Sequence, residues 1–277
     1  MGASRELADG NTAKNNIGLS NRLLSVAAMV SPGQVAADVG CDHGYVSIWL
    51  LKNGICPRVI AMDVRKGPLA AAEEHIREYG LSGYIETRLS DGLAALKGGE
   101  AGVLLLAGMG GRLMVQILEE GQEKVSAMQE LILQPQSEIA LVRQYVRGQG
   151  FAIVQENMVS EDGKYYPMFR VLTRKGLREA GLVPDADGYA VPAEKVLKRS
   201  DKTELYDNYG KLLLTERHPV LQAFLQKEEQ VCKQIERSVQ EKAAEGEDRR
   251  KRLMEVEKRL RLVRQALSFY PGQDGLR

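Results

Sequence analysis

The sequence predicts an α/β fold: a mostly parallel sheet whose last strand is antiparallel, followed by a C-terminal α-helical coiled-coil hairpin. Three observations carry that prediction. Between residues 35 and 173, short apolar runs alternate with helix-period patterns, as strands joined by helical crossovers require. The final two strand patterns are separated only by Glu161-Asp162-Gly163-Lys164, a turn and not a crossover, so they run antiparallel. Beyond Pro219 the apolar spacing changes to the three-and-four alternation of a helical seam.

Residues 19–30 have helical apolar spacing, with Ser20 placed to cap the first turn and Ser31-Pro32-Gly33 to stop it. Residues 35–39 are a short strand that runs into a glycine-rich turn at Gly40 to Gly44. A helix over 45–53 ends at Gly54, and a second strand over 58–63 ends on Asp63. Residues 66–79 form a helix with Pro68 in its first turn, where the missing N–H is not needed, and Gly80 as its cap. Strands follow over 84–89, 103–106 and 130–134, ending at Ser90-Asp91-Gly92, at Gly108-Met109-Gly110-Gly111 and at Pro135. Helices over 112–120 and 137–147 complete the alternation, and strands over 151–159 and 165–173 close it. Residues 174–208, with Gly176, Gly181, Pro184, Gly188 and Pro192, read as a linker or irregular connection. Leu221, Phe224, Val231, Ile235 and Val239 step along one helix, and Leu253, Val256, Leu260, Val263 and Leu267 form a heptad seam on the next. Ala244-Glu245-Gly246-Glu247 joins the two. The expected division is an N-terminal extension (1–16), a ligand-binding domain (17–175), a connection (176–218) and the hairpin (219–270).

Composition narrows the function. Hydrophobic residues are 44% and charged residues 27% of the 277, which excludes a disordered chain. Aromatics are 5%, with one Trp, which argues against a broad aromatic binding surface. No apolar run approaches the roughly 18 residues of a membrane span, residues 1–16 lack the apolar core of a secretory signal, and Glu6 stands where myristoylation needs Ser or Thr. Cys41, Cys56 and Cys232 are far apart and form no CxxC pair, which fits a reducing cytoplasm and neither a disulfide framework nor a zinc knuckle. The three histidines lack metal-ligand spacing, so no metal is expected. Residues 195–277 carry 19 Lys+Arg against 14 Asp+Glu, and residues 1–194 carry 19 against 23. The basic excess peaks at Arg249-Arg250-Lys251-Arg252 and points either to a polyanion or to a solvated helix surface.

The chemistry-bearing residues gather at strand ends, the edge at which open α/β sheets bind ligands. Asp38-Val39-Gly40-Cys41-Asp42-His43-Gly44-Tyr45 follows the first strand, and a side chain at Gly40 or Gly44 would keep a cofactor from the main chain. The spacing is neither the dinucleotide fingerprint nor a P-loop, and Asp38 and Asp42 would repel phosphates. S-adenosylmethionine, with its sulfonium, ammonium and carboxylate, fits better; the plain reading is a strand-to-helix turn. Asp63, followed by Val64 and 23 residues beyond Gly40, is placed to accept both ribose hydroxyls. Asp91-Gly92 is placed for the adenine amine, and Ala107-Gly108 with Met109-Gly110-Gly111 for close approach of cofactor and substrate; either could be an ordinary turn.

The ordered set resembles a known family. Leu19-Ser20-x-Arg22-Leu23, the DVGCDHGY loop, Asp63 with Lys66-Gly67-Pro68-Leu69, Ser90-Asp91-Gly92-Leu93, Ala107-Gly108-Met109-Gly110-Gly111 and Leu133-Gln134-Pro135 are similar to the bacterial tRNA (adenine-22-N1)-methyltransferases, over residues 17–270. Cys41 stands where that family usually has Ser or Thr, and Gly44 where Ala is common. The resemblance implies a Rossmann-like class I methyltransferase sheet, S-adenosyl-L-methionine as cofactor, tRNA as partner and methylation of N1 of adenine 22. Attack by N1 needs no proton removed and leaves a cationic ring, so a nearby carboxylate is the useful group. Asp42 is the candidate, with His43 a second contact. Asp38, Gly40, Gly44, Tyr45, Asp63, Val64, Asp91, Gly92, Ala107 and Gly108 are expected at the cofactor. Arg22, Met109, Gly110, Gly111, Arg112, Arg249, Arg250, Lys251 and Arg252 are expected at the tRNA. A monomer is expected, with dimerisation through the hairpin as the alternative. The competing functions are a small-molecule methyltransferase on the same fold and a non-enzymatic RNA-binding protein that retains it; a nicotinamide oxidoreductase ranks below both because its glycine spacing is missing.

Overall fold

The computed structural model describes residues 17–195, 200–241 and 247–271. The proposed extension at 1–16 and most of the hairpin connection at 244–247 lie outside them. Helix α1 (Asn21–Ala27) begins at Ser20, whose Oγ accepts a hydrogen bond from the Leu23 N–H. Then come β1 (Ala36–Val39), α2 (Tyr45–Lys52), β2 (Val59–Asp63), α3 (Lys66–Glu78), β3 (Ile85–Leu89) and β4 (Val103–Gly110). Helices α4 (Gly111–Glu120) and α5 (Gln122–Ser126), strand β5 (Glu130–Ser137) and α6 (Ile139–Gly148) follow, then β6 (Ala152–Glu161) and β7 (Lys164–Leu172).

The seven strands form one sheet in the order β3-β2-β1-β4-β5-β7-β6. All neighbours through β5 are parallel, and β7 runs antiparallel to both β5 and β6. Alternate residues serve opposite faces, because side chains along a strand point up and down in turn. On β4, Leu104 and Leu106 join one core layer with Met114 and Ile117 of α4 and Val142 of α6. Val103 and Leu105 join the other with Val26 of α1, Ile48 of α2 and Ile76 of α3. Strand β5 continues through Pro135, which pairs with Met109. The missing N–H is tolerated there because pairing with β7 stops at Leu133.

The stretch read as an irregular connection is instead largely regular. It contains α7 (Arg174–Ala180), the two-stranded β8 (Leu182–Pro184) and β9 (Ala190–Pro192), a 3-10 turn over Ala193–Lys195, α8 (Thr203–Tyr209) and α9 (Lys211–Thr215). Leu177, Tyr189, Leu205, Tyr206 and Leu213 are buried, four of them in the α4–α6 core layer. Its glycines mark turns between short elements: Gly181 and Gly188 have φ of 67° and 87°, the left-handed region that side chains avoid.

Helices α10 (Pro219–Glu241) and α11 (Glu247–Leu267) pack against each other. Leu221 and Leu225 of α10 and Val263 and Ala266 of α11 belong to the main core, so the base of the hairpin is anchored in the sheet domain. The α11 seam is as expected: Leu260 and Val263 are buried, and Leu253, Val256 and Leu267 half-buried. On α10 the expected face needs one correction. Val231 is exposed, and Cys232 takes the buried place. At about 100° per residue, position 232 returns to the face of Leu221 and Leu225, whereas 231 falls about a quarter-turn short.

Candidate active site

The carboxyl ends of the central strands enclose a cavity of about 440 Å³, the size of a small-ligand site. Its base is made by Asp38 of β1, Leu105 and Ala107 of β4, and Leu23 and Val26 of α1. Gly40, Cys41, Asp42 and His43 form one side, with Tyr45 and Val46 at the start of α2. Asp63 and Arg65 stand at the end of β2, Gly108 and Met109 at the end of β4, Gln136 at the end of β5 and Arg22 on α1.

Local sequence explains the loop. Gly40 and Gly44 have φ of 74° and 75°, and Asp42, though not glycine, has φ of 50°. Such backbone strain in a non-glycine residue concentrates at functional positions. The Asp42 N–H donates to Asp63 Oδ2 at 3.3 Å, and the Arg65 N–H to Asp63 Oδ1 at 2.8 Å, so the β2 carboxylate ties the β1 loop to its own strand. His75 of α3 braces the loop from outside. Its Nδ1 lies 3.0 Å from the His43 carbonyl oxygen and its Nε2 3.2 Å from the Tyr45 hydroxyl, and its ring stacks on the Tyr45 ring with the centroids 4.6 Å apart.

The cavity is rich in carboxylates. Asp38 and Asp63 are buried, and Asp42 is 59% exposed at the mouth. Burial pushes the Asp38 carboxyl up to about 6; a 2.7 Å hydrogen bond from the Ser47 hydroxyl pulls it down, and the Asp63 charge adds to the rise. Burial also pushes the Cys41 thiol well up, which leaves it a packing group and not a nucleophile. Two cations line the cavity. Arg65 lies 3.6 Å from Asp42 and 3.5 Å from Asp63. Arg22 donates from Nη1 to Gln134 Oε1 at 2.8 Å and sits 5.3 Å from the centre of the Tyr166 ring.

This arrangement agrees with what the chain is similar to. The family model described as "Methyltransferase domain" matches residues 19–169. The tRNA (adenine(22)-N(1))-methyltransferase of Bacillus subtilis is 30% identical over 253 residues, 91% of this chain and 98% of that protein. The chain belongs to the tRNA (adenine-22-N1)-methyltransferase family. The crystal structure of the B. subtilis m1A22 tRNA methyltransferase TrmK superposes with a TM-score of 0.74 at 28% identity, covering 91% of this chain and 99% of that one. A Streptococcus pneumoniae structure in complex with S-adenosyl-L-methionine gives 0.72 at 30% identity, covering 90% and 99%. The mostly parallel sheet with helices on both faces is therefore the methyltransferase fold of this family.

Of the residues singled out by sequence, Arg22, Asp38, Gly40, Asp42, His43, Tyr45, Asp63, Ala107, Gly108 and Met109 meet in the cavity. Others do not line it. Gly44 packs on α3: a Cβ there would be 3.1 Å from that of Ala72. Gly92 is buried against Ile117, and Asp91 and Val64 are exposed beside the β3 and β2 ends. Gly111 is glycine for packing and not for substrate access, since a Cβ would come within 2.6 Å of the Ser137 oxygen and 2.7 Å of the Glu138 oxygen. A Cβ at Gly110 would likewise lie 3.1 Å from Ser137 Oγ. Arg112 is 83% exposed and bound to Glu138 at 2.9 Å, and the same carboxylate accepts the Arg112 N–H at 3.1 Å, capping α4. Arg249, Arg250, Lys251 and Arg252 lie on the first turns of α11, away from the hairpin base. Even Gly40 answers to a neighbour, because a Cβ there would meet the Met109 methyl at 2.5 Å.

Sequence reasoning missed Arg65, Gln136 and the role of Gln134. The signal for Gln134 was a polar residue ending the apolar run Leu131-Ile132-Leu133. It is fully buried, and its Oε1 accepts from both Arg22 and the Gly108 N–H at 3.2 Å.

Proposed function

We propose that this protein transfers the methyl group of S-adenosyl-L-methionine to N1 of adenine 22 in tRNA. The observation that carries the reading is the strand-end cavity, with Asp38 and Asp63 buried at its base and Asp42 at its mouth. The residues fit the cofactor. Asp63 suits ribose hydroxyls, Asp38 suits an ammonium, and three carboxylates around one cavity favour a sulfonium over any phosphate. When bound, the cofactor supplies an electrophilic methyl group on sulfur. Among the described residues no group of three or more His, Cys, Asp or Glu is arranged to hold a metal, and no helix is long and apolar enough to cross a membrane.

The protein's part in the reaction is to position and to stabilise charge. Adenine N1 presents a lone pair in the ring plane, so no side chain has to remove a proton. The ring gains positive charge as the bond forms, and Asp42 at the mouth answers it. His43, 3.9 Å from Asp42, shares that rim. The base has to leave its stack to reach the cavity. Tyr45 already stacks on His75, so Met109 and Tyr166 are the side chains left to pack against it. The hairpin supplies the backbone contacts. Lys258, Arg259 and Arg264 are held by Glu204, Glu228 and Glu229, whereas Arg250, Lys251 and Arg252 have no ion-pair partner among the described residues. The chain acts as a monomer in the cytoplasm, where its three buried cysteines stay reduced.

Incubation with unmodified tRNA, followed by nucleoside mass spectrometry, is expected to yield 1-methyladenosine. N6-methyladenosine, or no methylated nucleoside, contradicts the reading. Replacing Arg250, Lys251 and Arg252 with alanine is expected to weaken tRNA binding in gel shifts and to cut the slope of log affinity against log salt by about 2 to 3. Cofactor affinity, by calorimetry, stays unchanged. An unaltered salt slope refutes the hairpin contact.

Asp38 sets a pH dependence. The cofactor's ammonium favours the ionised carboxylate, so affinity is full above the raised value of about 6 and falls as pH drops through it. The expected loss is up to about tenfold per pH unit. Asp38→Asn flattens the profile, and a wild-type profile already flat from pH 5 to 8 removes Asp38 from the ammonium. The sign for the ligand-free fold is opposite. A carboxyl raised from 3.8 to about 6 by folding costs stability as pH rises across that window.

A further inference from the structure

Strands β4 and β5 leave regular pairing where they reach the cavity. Ala107 pairs with Gln134, Met109 with Pro135 and Gly110 with Ser137, so the ladder skips Gly108 on β4 and Gln136 on β5. Both skipped residues line the cavity. Such irregularities are rare between parallel strands, and beside active sites they re-aim a side chain. Gly108 has φ of 80°, and a Cβ there would lie 3.7 Å from Gln136 Nε2, so the missing side chain opens the space beside that amide. The two glutamines at this strand end differ in what they hold. Gln134 is buried, and its Oε1 accepts from Arg22 and from the Gly108 N–H. Gln136 is exposed, and among the described residues its amide has no hydrogen-bond partner. It therefore brings an unused acceptor and unused N–H donors to the rim.

The place of this amide decides what it meets. With ribose at Asp63 on β2 and the ammonium at Asp38 on β1, the β4–β5 side of the mouth is left for the target base. Met109, Gln136 and Arg22 stand on that side, and Arg22 is already bonded to Gln134 and set against the Tyr166 ring. Methylation at N1 constrains the base further. N1 has to stay bare and face the sulfur, so the base is held by its other edges. The Hoogsteen edge of adenine presents the N6 amine as a donor next to the N7 acceptor, a pair that one amide matches with both its groups. We infer that Gln136 holds the target adenine by this edge, its Oε1 accepting from N6–H and its Nε2 donating to N7, and thereby turns N1 toward the methyl group. The same contact favours N1 over N6 as the attacking atom, because it engages the exocyclic amine as a donor. Gln136 touches the substrate and orients it, and it moves no proton. The assignment rests on the adenine-methylation reading above.

Atomic substitutions in the RNA test the contact. Three tRNAs assembled by ligation carry adenine, 7-deazaadenine (no N7) or purine (no amine) at position 22, and kcat/KM for methyl transfer is measured on each. Gln136→Leu is expected to lower kcat/KM on the adenine tRNA by roughly tenfold to hundredfold, the worth of two hydrogen bonds, with S-adenosylmethionine affinity by calorimetry unchanged. Each analogue also changes the ring's own reactivity, but that effect is common to all the proteins and cancels between them. The penalty for either analogue is expected to be about two- to tenfold larger in the wild type than in Gln136→Leu. Gln136→Glu keeps an acceptor and loses the donor. It is expected to stay sensitive to loss of the amine and to lose the extra sensitivity to loss of N7, a pattern that a merely structural role would not produce. Penalties equal in the wild type and Gln136→Leu, or a Gln136→Glu protein with the wild-type N7 penalty, overturn the contact. Weakened cofactor binding in Gln136→Leu overturns it as well and places Gln136 at the cofactor. A wild type that does not methylate the adenine tRNA overturns the underlying reading, a result distinct from the others.

Discussion

Asp42→Asn is expected to lower the rate of methyl transfer by about 10²- to 10³-fold, the usual cost of removing one group that stabilises charge in the transition state. Cofactor affinity is expected to stay within a few-fold. Asparagine is the informative replacement because Asp42 has φ of 50°. Asparagine tolerates the left-handed region, whereas alanine adds backbone strain to the loss of charge. The main-chain hydrogen bond from residue 42 to Asp63 survives the change, so the loop keeps its tie to β2. The loss should appear in kcat at saturating cofactor and tRNA, because the charge that Asp42 answers exists only as the bond forms. Single-turnover kinetics with calorimetry on the same variant make the test. Unchanged transfer refutes the role, and a large loss of cofactor affinity reassigns Asp42 to the cofactor.

Glu156→Ala is expected to destabilise the fold by roughly 3 to 5 kcal/mol, as for other buried ion pairs that lose one partner. The side chains of Arg143 and Glu156 are 2% and 0% exposed. Glu156 accepts from Arg143 Nε at 3.0 Å and Nη2 at 2.8 Å, from the Tyr189 hydroxyl at 3.3 Å and from the Leu212 N–H at 2.9 Å. Arg143 also donates to the Asp207 carbonyl at 3.0 Å, and Lys211 N–H to the Tyr189 hydroxyl at 2.7 Å. One carboxylate thus fastens α6, β6, the turn before β9 and α9, and these elements support the hairpin base. Removing it leaves a buried guanidinium without its counter-charge. Urea unfolding measures the change, and a loss under 1 kcal/mol would show that the network relaxes or admits water. Glu156→Gln keeps an acceptor for Leu212 and is expected to lose less.

Much of this was legible in the sequence, for identifiable reasons. Fully apolar runs such as Val103 to Leu106 announce central parallel strands because both faces of such strands are covered. Ser20, Gly80 and Gly163 mark ends and turns by chemistry that acts locally. The rest failed where the decisive partner is distant in sequence. A missing Cβ at Gly44, Gly92 or Gly111 looks the same whether a ligand or Ala72, Ile117 or Ser137 needs the space. The glycines and prolines of 174–208 suggested irregularity, yet they separate short elements whose Tyr189, Tyr206 and Leu213 are buried. Val231 and Cys232 are adjacent, and only the helical angle relative to Leu221 and Leu225 puts Cys232 on the buried face and Val231 off it. Arg22 was identified by type, but its neighbours Gln134 and Glu161 come from strands more than a hundred residues away.

The most direct test of the central claim is methyl transfer from labelled S-adenosylmethionine to two unmodified tRNA transcripts that differ only at position 22, one with A and one with G. Label is expected in the A22 transcript and none in the G22 transcript. Equal label in both would contradict the assignment of adenine 22, and no label in either would contradict tRNA as the substrate.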